Sequence, residues 1–297
     1  MKIPLKRKLG TFLTITIAIL VFIAYIYENT DIFKNSPVSN VNGECSVHFI
    51  DVGQGDCTLI QCGGYNVLID AGENNKGDEV LLKLTQLGVK KLDYIIGTHA
   101  HSDHIGGLDT VINSIKTDNI ILSDLPDDLI PTTVTYTDLL EAIVNNDVNL
   151  IAAEPEFEIA LGDGKITLLA PLKEYNDLND YSIVTRFDFG ETSFLITGDA
   201  EKGAESDILK SGADVSATVL KVGHHGSETS TSYEFLQKVK PKYAVIEVGV
   251  KNKYDHPSPE TLSRLMDIGA EIFRTDLNGN ITAISDGKAV TFTTDKE

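Results

Sequence analysis

The chain has 297 residues, of which 42% are hydrophobic and 23% charged, and its formal net charge is −19. These proportions exclude a wholly disordered chain, a collagen-like fibre and a small disulfide scaffold. Four basic residues precede the first acidic one, so the chain from Glu28 onward has 21 basic against 44 acidic residues. So acidic a surface argues against tight, sequence-independent duplex binding unless a basic patch or metal ions overcome the repulsion.

The N-terminus predicts a membrane segment. Residues 9–27 are nineteen consecutive uncharged residues, rich in Ile, Leu, Val and Phe, which is about the length that spans a bilayer. The basic flank at 1–8 predicts a cytoplasmic start, with the rest of the chain outside the cell. The alternative is a signal peptide, after whose cleavage the protein is secreted. We favour a single-pass anchor because the segment is long and no A-x-A-like cleavage site follows it. Residues 28–43 are rich in Asn, Ser and Asp and predict a linker.

From residue 44 onward, short β-rich runs alternate with helical periodicity. Strands are predicted at 46–50, 58–61, 66–69, 92–97, 119–122, 156–161, 165–169, 182–189, 192–196, 217–222, 243–248, 281–285 and 289–293. Helices are predicted at 78–87, 105–115, 137–145, 232–238 and 259–268. Gly162–Gly164 and Gly190–Glu191 are typical of hairpin turns. Hairpins mixed with crossover helices predict a mixed sheet or two sheets, and we treat 44–297 as one domain.

Two of the three cysteines fall on neighbouring predicted strands. A hairpin centred on Gly53–Gln54 would place Cys45 opposite Cys62. Two interpretations remain open: a disulfide between them, or three cysteines that act as small buried hydrophobic residues. We favour the second.

Three of the seven histidines lie within six residues, directly after a predicted strand. His99 and His101 are two residues apart on a short loop and can converge on one ion, while Asp103 and His104 can turn to a second ion. Imidazole and carboxylate groups are ligands of divalent zinc and manganese. The C-terminal end of a strand is also where α/β proteins build their sites. The cluster therefore predicts a metal site.

Two later segments have the same organisation. Asp199 follows the strand at 192–196 and a Thr-Gly pair, a position from which it can bridge two metals. His224 and His225 follow the strand at 217–222 and are flanked by glycines, as expected for one ligand and its neighbour.

Together these motifs resemble the metallo-β-lactamase superfamily, and within it the hydrolase domain of ComEC-type DNA-uptake proteins. The specific segments are Phe49–Asp56, Asn66–Gly72, the complete H-x-H-x-D-H signature in Thr98–Gly107, Asn179–Ser182, Ile196–Asp199, Lys221–Ser227, Tyr254–Pro257 and Arg274–Gly279. The resemblance implies an α/β chain with an αββα sandwich, a two-metal site at one edge of the sheets, and hydrolysis of phosphodiesters or other esters.

The resemblance also implies roles for individual residues. One ion is held by His99, His101 and Asp199, and the other by Asp103, His104, Asp199 and one of the pair 224/225, with His224 preferred because it is nearer the strand end. The ions are zinc or manganese, and a metal-bound hydroxide is the nucleophile.

Three residues are candidates for catalytic roles. Asp103 orients the nucleophile or takes its proton, and His225 donates to substrate or leaving-group oxygens. His256 either contacts substrate phosphate or is simply the residue at a helix entry before Pro257.

The chain departs from the wider superfamily in having no histidine between His104 and His224, where Asn179 and Ser182 occur instead. We therefore expect the first ion to be weakly held. The number of tightly bound ions can then be one or two. The predicted function is a membrane-anchored, extracytoplasmic phosphodiesterase acting on nucleic-acid fragments. The alternatives are a hydrolase of cell-wall phosphocholine or other esters and a non-catalytic accessory protein of competence or surface assembly.

Overall fold

Two mixed β-sheets form the centre of the computed structural model, which describes residues 43–296. The strands are β1 (Cys45–Phe49), β2 (Thr58–Cys62), β3 (Tyr65–Ile69), β4 (Lys91–Gly97), β5 (Lys116–Leu122), β6 (Asn149–Ala152), β7 (Glu158–Leu161), β8 (Gly164–Leu168), β9 (Thr185–Phe189), β10 (Thr192–Ile196), β11 (Val219–Lys221), β12 (Tyr243–Ile246), β13 (Glu271–Arg274), β14 (Ile281–Ser285) and β15 (Val290–Thr294). The first sheet has the order β15-β14-β1-β2-β3-β4-β5-β6, and the second has the order β13-β12-β11-β10-β9-β8-β7.

Helices cover the sheets. They are α1 (Gly77–Gln86), α2 (Ser102–Ile105), α3 (Leu108–Ser114), α4 (Val134–Asn145), α5 (Lys202–Ser211), α6 (Tyr233–Val239), α7 (Pro259–Asp267) and α8 (Thr275–Asn278). The inner faces of both sheets share one core, to which Phe49 and Phe194 belong. On the outer face of the second sheet, Ile208, Phe235 and Leu265 of α5, α6 and α7 join a separate core. The predicted αββα sandwich is confirmed.

The sheet topology gathers strand ends at one edge. Strands β3 and β4 are parallel in the first sheet, and β10, β11 and β12 are parallel in the second. The predicted ligands follow the C-terminal ends of β4, β10 and β11. Both predicted hairpins are present, because β7 pairs antiparallel with β8 and β9 with β10.

The single helix expected at 105–115 is wrong. Two short helices, α2 and α3, are separated by Gly106 and Gly107, where the chain passes close to another loop. A Cβ on Gly106 would lie 2.3 Å from the backbone nitrogen of Asn74, and one on Gly107 would lie 2.4 Å from the carbonyl oxygen of Ala71. The two glycines therefore allow backbone contact that any side chain would prevent.

Four elements were not predicted, and each has a weak hydrophobic pattern; one is the four-residue α8, which buries only Thr275. Strand β6 is mostly exposed, β13 has no fully buried residue, and both lie at sheet edges. Helix α5 buries only Ala204, Glu205 and Ile208. Periodicity identifies elements by the apolar face that they bury, so it misses elements that bury little.

A disulfide joins Cys45 to Cys62, so the favoured interpretation of three unpaired cysteines is wrong. The β1–β2 register places Ser46 opposite Gln61, and the next pair outward is Cys45 and Cys62, whose Cα atoms are 4.5 Å apart. The third cysteine, Cys57, is buried and free.

The predicted membrane segment at 9–27, its basic flank at 1–8 and nearly all of the linker at 28–43 lie outside the described residues. Within 43–296, no helix is long and apolar enough to cross a bilayer. All described residues except Gln86–Gly88 fall in one compact unit. The domain boundaries, including 44–297 as a single domain, stay a prediction.

Candidate metal centre

Asp199 lies at the centre of a cluster of histidines. It follows β10 through a Thr-Gly turn and is 2% exposed. Its Oδ2 lies 3.2 Å from Nε2 of His104, 3.6 Å from Nε2 of His225, 3.7 Å from Nε2 of His224 and 3.9 Å from Nε2 of His99. One carboxylate oxygen is thus surrounded by four imidazoles, the position that a bridging ligand would take.

The H-x-H-x-D-H segment supplies ligands to two sides of this carboxylate. His104 forms one potential metal-binding group with His99 and Asp199, and a second with Asp103 and His225. In the second group, Oδ2 of Asp103 lies 3.4 Å from Nε2 of His225. The structure therefore brings together five of the eight predicted site residues around two adjacent positions.

His101 is placed differently from the other three residues of the signature. Its Nδ1 lies 2.9 Å from Nε2 of His99, so the two rings contact each other directly. Among residues 43–296, no potential metal-binding group includes His101, although it does line the pocket in front of the cluster.

Three buried ligand-type atoms in the cluster have no hydrogen bond: Nε2 of His104, Nε2 of His225 and Oδ1 of Asp199. The opposite ring nitrogens are satisfied, because Nδ1 of His104 contacts Asp70 at 2.8 Å and Nδ1 of His225 contacts the carbonyl oxygen of Glu247 at 3.0 Å. Buried polar atoms are nearly always paired, and metal-binding histidines are usually oriented in this way through the second nitrogen. The donor set fits divalent cations.

The paired histidines take different positions, and the preference for His224 as the ligand stays a prediction. His225 is 1% exposed and directs Nε2 toward Asp103 and Asp199. The side chain of His224 is 24% exposed, and its Nδ1 lies 3.2 Å from Oε1 of Glu201. His225 thus belongs to two of the potential metal-binding groups, while both histidines line the pocket.

Both histidines have left-handed backbone conformations, with φ of 48° at His224 and 51° at His225. Residues with a Cβ rarely adopt this conformation and pay a cost of about 1–2 kcal/mol each. The following Gly226 has φ of 85°, and a Cβ there would lie 2.5 Å from Cβ of Pro257. Strain of this kind is typical of functional turns.

A buried charged network lies behind His225, and the sequence motifs assign no role to its lysine. Lys221 is fully buried, pairs with Asp56 and donates to the carbonyl oxygen of Gly198 at 3.1 Å. Oδ1 of Asp56 lies 3.2 Å from Nδ1 of His225. Burial, together with the charge of Asp56, raises the pKa of the neighbouring Glu247 to about 8. A lysine inside a buried strand was the one available signal for this network.

The field at the cluster favours positive charge. Burial alone would lower the pKa of His225, but the charges of Asp199 and Asp56 outweigh it and raise that pKa to about 10. Burial alone would also lower the pKa of His104. The charges of Asp199 and Asp70 outweigh this effect, so the pKa of His104 lies well above its ordinary value. An environment that stabilises imidazolium also stabilises a divalent cation.

A pocket of about 280 Å³ opens in front of the cluster. It is lined by Gln54, His101, Ser102, Asp103, Asn179, Asp199, His224, His225, Tyr254 and His256. The ring of His256 lies 5.6 Å from that of His224, which places it at the pocket rather than only at a helix entry. Its Nδ1 is buried and has no hydrogen-bond partner.

Two residues stand where a further histidine was expected: Ser182 contacts the centre, and Asn179 lines the pocket. Oγ of Ser182 accepts a hydrogen bond from the backbone N–H of Asp199 at 2.9 Å and lies 3.4 Å from Nδ1 of His99. Asn179 donates from Nδ2 to Glu201 at 3.3 Å, and its buried Oδ1 has no hydrogen bond. Ser182 orients two predicted ligands, while Asn179 offers an acceptor at the pocket wall.

The metallo-beta-lactamase superfamily matches residues 50–249 of the chain. ComE operon protein 3 of Bacillus subtilis (strain 168) is 31% identical over 265 residues, which is 81% of this chain and 33% of that protein. Competence protein ComA of Neisseria gonorrhoeae is 31% identical over 256 residues, or 82% of this chain and 33% of that one. The chain thus spans about a third of the length of these curated relatives.

Solved structures show the same fold. The crystal structure of Tm1679, described as a metal-dependent hydrolase of the beta-lactamase superfamily, superimposes with a TM-score of 0.53 at 14% identity. The superposition covers 84% of this chain and 100% of that one.

Proposed function

Because the chain belongs to the metallo-β-lactamase superfamily and is related to competence proteins, we propose that it is a metal-dependent phosphodiesterase. The observation that carries the proposal is the set of buried, unpaired ligand atoms on His104, His225 and Asp199 beside an open polar pocket. A non-catalytic accessory protein would have no need to keep such costly atoms facing a pocket.

The donor set assigns residues to two cations, zinc or manganese. His99 and Asp199 would hold one, joined by His101, which contacts His99; Asp103, His104, Asp199 and His225 would hold the other. The chemistry supplied by two bound divalent cations is activation of water and neutralisation of charge on the substrate oxygens.

The residues around the cations would orient the substrate. His224 and His256 present imidazoles to the pocket, and a phosphodiester seated there would receive hydrogen bonds from them. Gln54 adds a buried amide nitrogen, Nε2, that has no partner. Asp103, with its side chain 24% exposed, faces both the pocket and His225 and is placed to hold a proton from the attacking water.

The proposal includes a location outside the cytoplasm, with residues 9–27 as a membrane anchor or, alternatively, a cleaved signal. The disulfide between Cys45 and Cys62 supports it, since such bonds persist in oxidising compartments and are rare in the cytosol.

Hydrolysis of bis-p-nitrophenyl phosphate by the full chain, with manganese or zinc added, tests the proposal. Asp103→Asn keeps the shape of the side chain but removes its charge and its proton acceptor, so we expect the rate to fall at least ~100-fold. Asp163→Asn, in the exposed Gly162–Gly164 turn, is the matched control and is expected to match the wild type. Equal rates for Asp103→Asn and wild type, or no turnover by the wild type, would overturn the proposal.

A further inference from the structure

We propose that Tyr254 is a stacking residue that makes this site prefer phosphodiesters carrying an unpaired aromatic base beside the scissile phosphate. The inference rests on the proposed function and narrows its substrate class to single-stranded nucleic acid and its fragments. Wall polymers of polyol phosphate lack an aromatic face and would gain nothing from such a residue.

A row of aromatic rings leads from the metal centre to the surface. Nε2 of His224 lies 3.7 Å from Oδ2 of Asp199, and the ring of His256 lies 5.6 Å from the ring of His224. The ring of Tyr254 follows at 5.7 Å from His256, inclined by only 22° to it. A substrate whose phosphate meets the inner histidines would therefore bring its adjacent base to the outer ring.

Tyr254 lines the pocket and yet is 51% exposed. About half of this large side chain is thus exposed to solvent at the rim of a polar site. Aromatic rings bind mainly through the area that they bury, so this exposed area is available to a ligand. Planar bases stack on exposed aromatic side chains with little dependence on sequence, since every base has a π-face. The bases of a duplex already stack on one another, so the feature suits an unpaired base.

The backbone that carries Tyr254 is held in place by one side chain. Oδ1 of Asn252 accepts from the backbone N–H of Tyr254 at 3.1 Å and from that of His256 at 3.0 Å. Nδ2 of Asn252 donates to the carbonyl oxygens of Gly249 at 3.0 Å and His256 at 2.7 Å. Because the backbone of this segment is already ordered, little backbone entropy is lost when a base stacks on the ring. Such preorganisation lowers the free-energy cost of binding.

The charge over the Tyr254 ring suits a nucleic-acid strand. The ammonium of Lys253 lies 4.9 Å from the centroid of the Tyr254 ring. On so acidic a chain, a cation at the pocket rim provides a local contact for a neighbouring phosphate.

Fluorescence anisotropy with two labelled eight-nucleotide probes tests the inference in the full chain, with calcium in place of manganese to prevent turnover. One probe is oligothymidylate, and the other is an abasic strand of the same length and charge. We expect the wild type to bind oligothymidylate about tenfold more tightly than the abasic strand, within the range for one base stacked on an aromatic side chain. Tyr254→Ala is expected to lose this preference, and Tyr254→Phe to keep it.

Tyr65→Ala is the matched control, because Tyr65 is 40% exposed and lies at the end of β3 opposite to Asp70. It is expected to retain the preference for oligothymidylate. Equal binding of the two probes by the wild type, or a preference that survives in Tyr254→Ala, overturns the inference. A preference that depends on Tyr254 in a protein that hydrolyses no diester supports stacking and refutes the phosphodiesterase proposal, so the two failures are distinguishable.

Discussion

Lys221 is a fully buried lysine that serves two loops of the centre at once. Its ammonium pairs with Asp56, which contacts His225, and donates to the carbonyl oxygen of Gly198, the residue before Asp199. A buried charge is tolerated only where its partners compensate for lost hydration. The lysine therefore connects the turn after β10 with the turn after β11 through one group.

We expect Lys221→Met to lower the free energy of unfolding by about 3–5 kcal/mol, because it leaves Asp56 buried without its counter-ion. The double variant with Asp56→Asn removes both charges and should recover part of that loss. Urea unfolding of each variant measures the effect. The control is Lys165→Met, which removes an exposed pair with Glu158 and should cost at most ~1 kcal/mol. A cost for Lys221→Met no larger than the control would contradict the buried pair.

The sequence identifies the clustered side chains far better than the groups that support them. His99, His104 and Asp199 follow strands in recognisable motifs, and the structure gathers them. Lys221 opens a recognised segment but is given no role by it, and Glu247 lies in none; their partners, Asp56 and Thr58, lie far away in the chain. Such pairs depend on the packing of the two sheets, which local patterns do not contain. The same limit applies to the choice between His224 and His225, which depends on the left-handed turn between them.

At the scale of elements, the strong strands were predicted to within a few residues, while the weakly apolar ones were missed. β10 and β14 agree with the predicted ranges because each has a buried apolar pattern closed by turn residues. The break between α2 and α3 was missed because Gly106 and Gly107 pack against the backbone of a loop that is distant in the chain. Local periodicity indicates which face of an element is buried. It does not indicate which distant segments of the chain pack against that element.

The hairpin of β1 and β2 carries a prediction about the disulfide. We expect iodoacetamide to label only Cys57 in denatured, unreduced protein taken from cells, and all three cysteines after reduction, as measured by mass spectrometry. Reduction should lower the free energy of unfolding by ~3 kcal/mol, the value for a loop of about this length. Labelling of Cys45 and Cys62 before reduction would contradict both the bond and the extracytoplasmic location that it supports.

For the whole molecule, the function depends on the way two sheets bring strand ends to one edge. The first sheet contributes the H-x-H-x-D-H segment after β4, and the second contributes Asp199 after β10 and His225 after β11. Neither sheet alone holds all of the predicted ligands. The resemblance of the motifs predicted this architecture correctly, because the motifs are spread over both sheets. The chain spans only about a third of the length of its curated relatives, so their whole-protein activities are not transferred to it.

The most direct test of this account is the metal content of the full chain after loading with manganese or zinc and desalting, measured by elemental analysis. We predict one to two ions per wild-type chain. His225→Ala should bind at least ~10-fold more weakly, since even the loss of a residue that only orients a ligand costs 10–100-fold. His224→Ala, the adjacent residue in the same turn, should retain its metal. Full metal content in His225→Ala, or equal loss in the two variants, would contradict the centre described above.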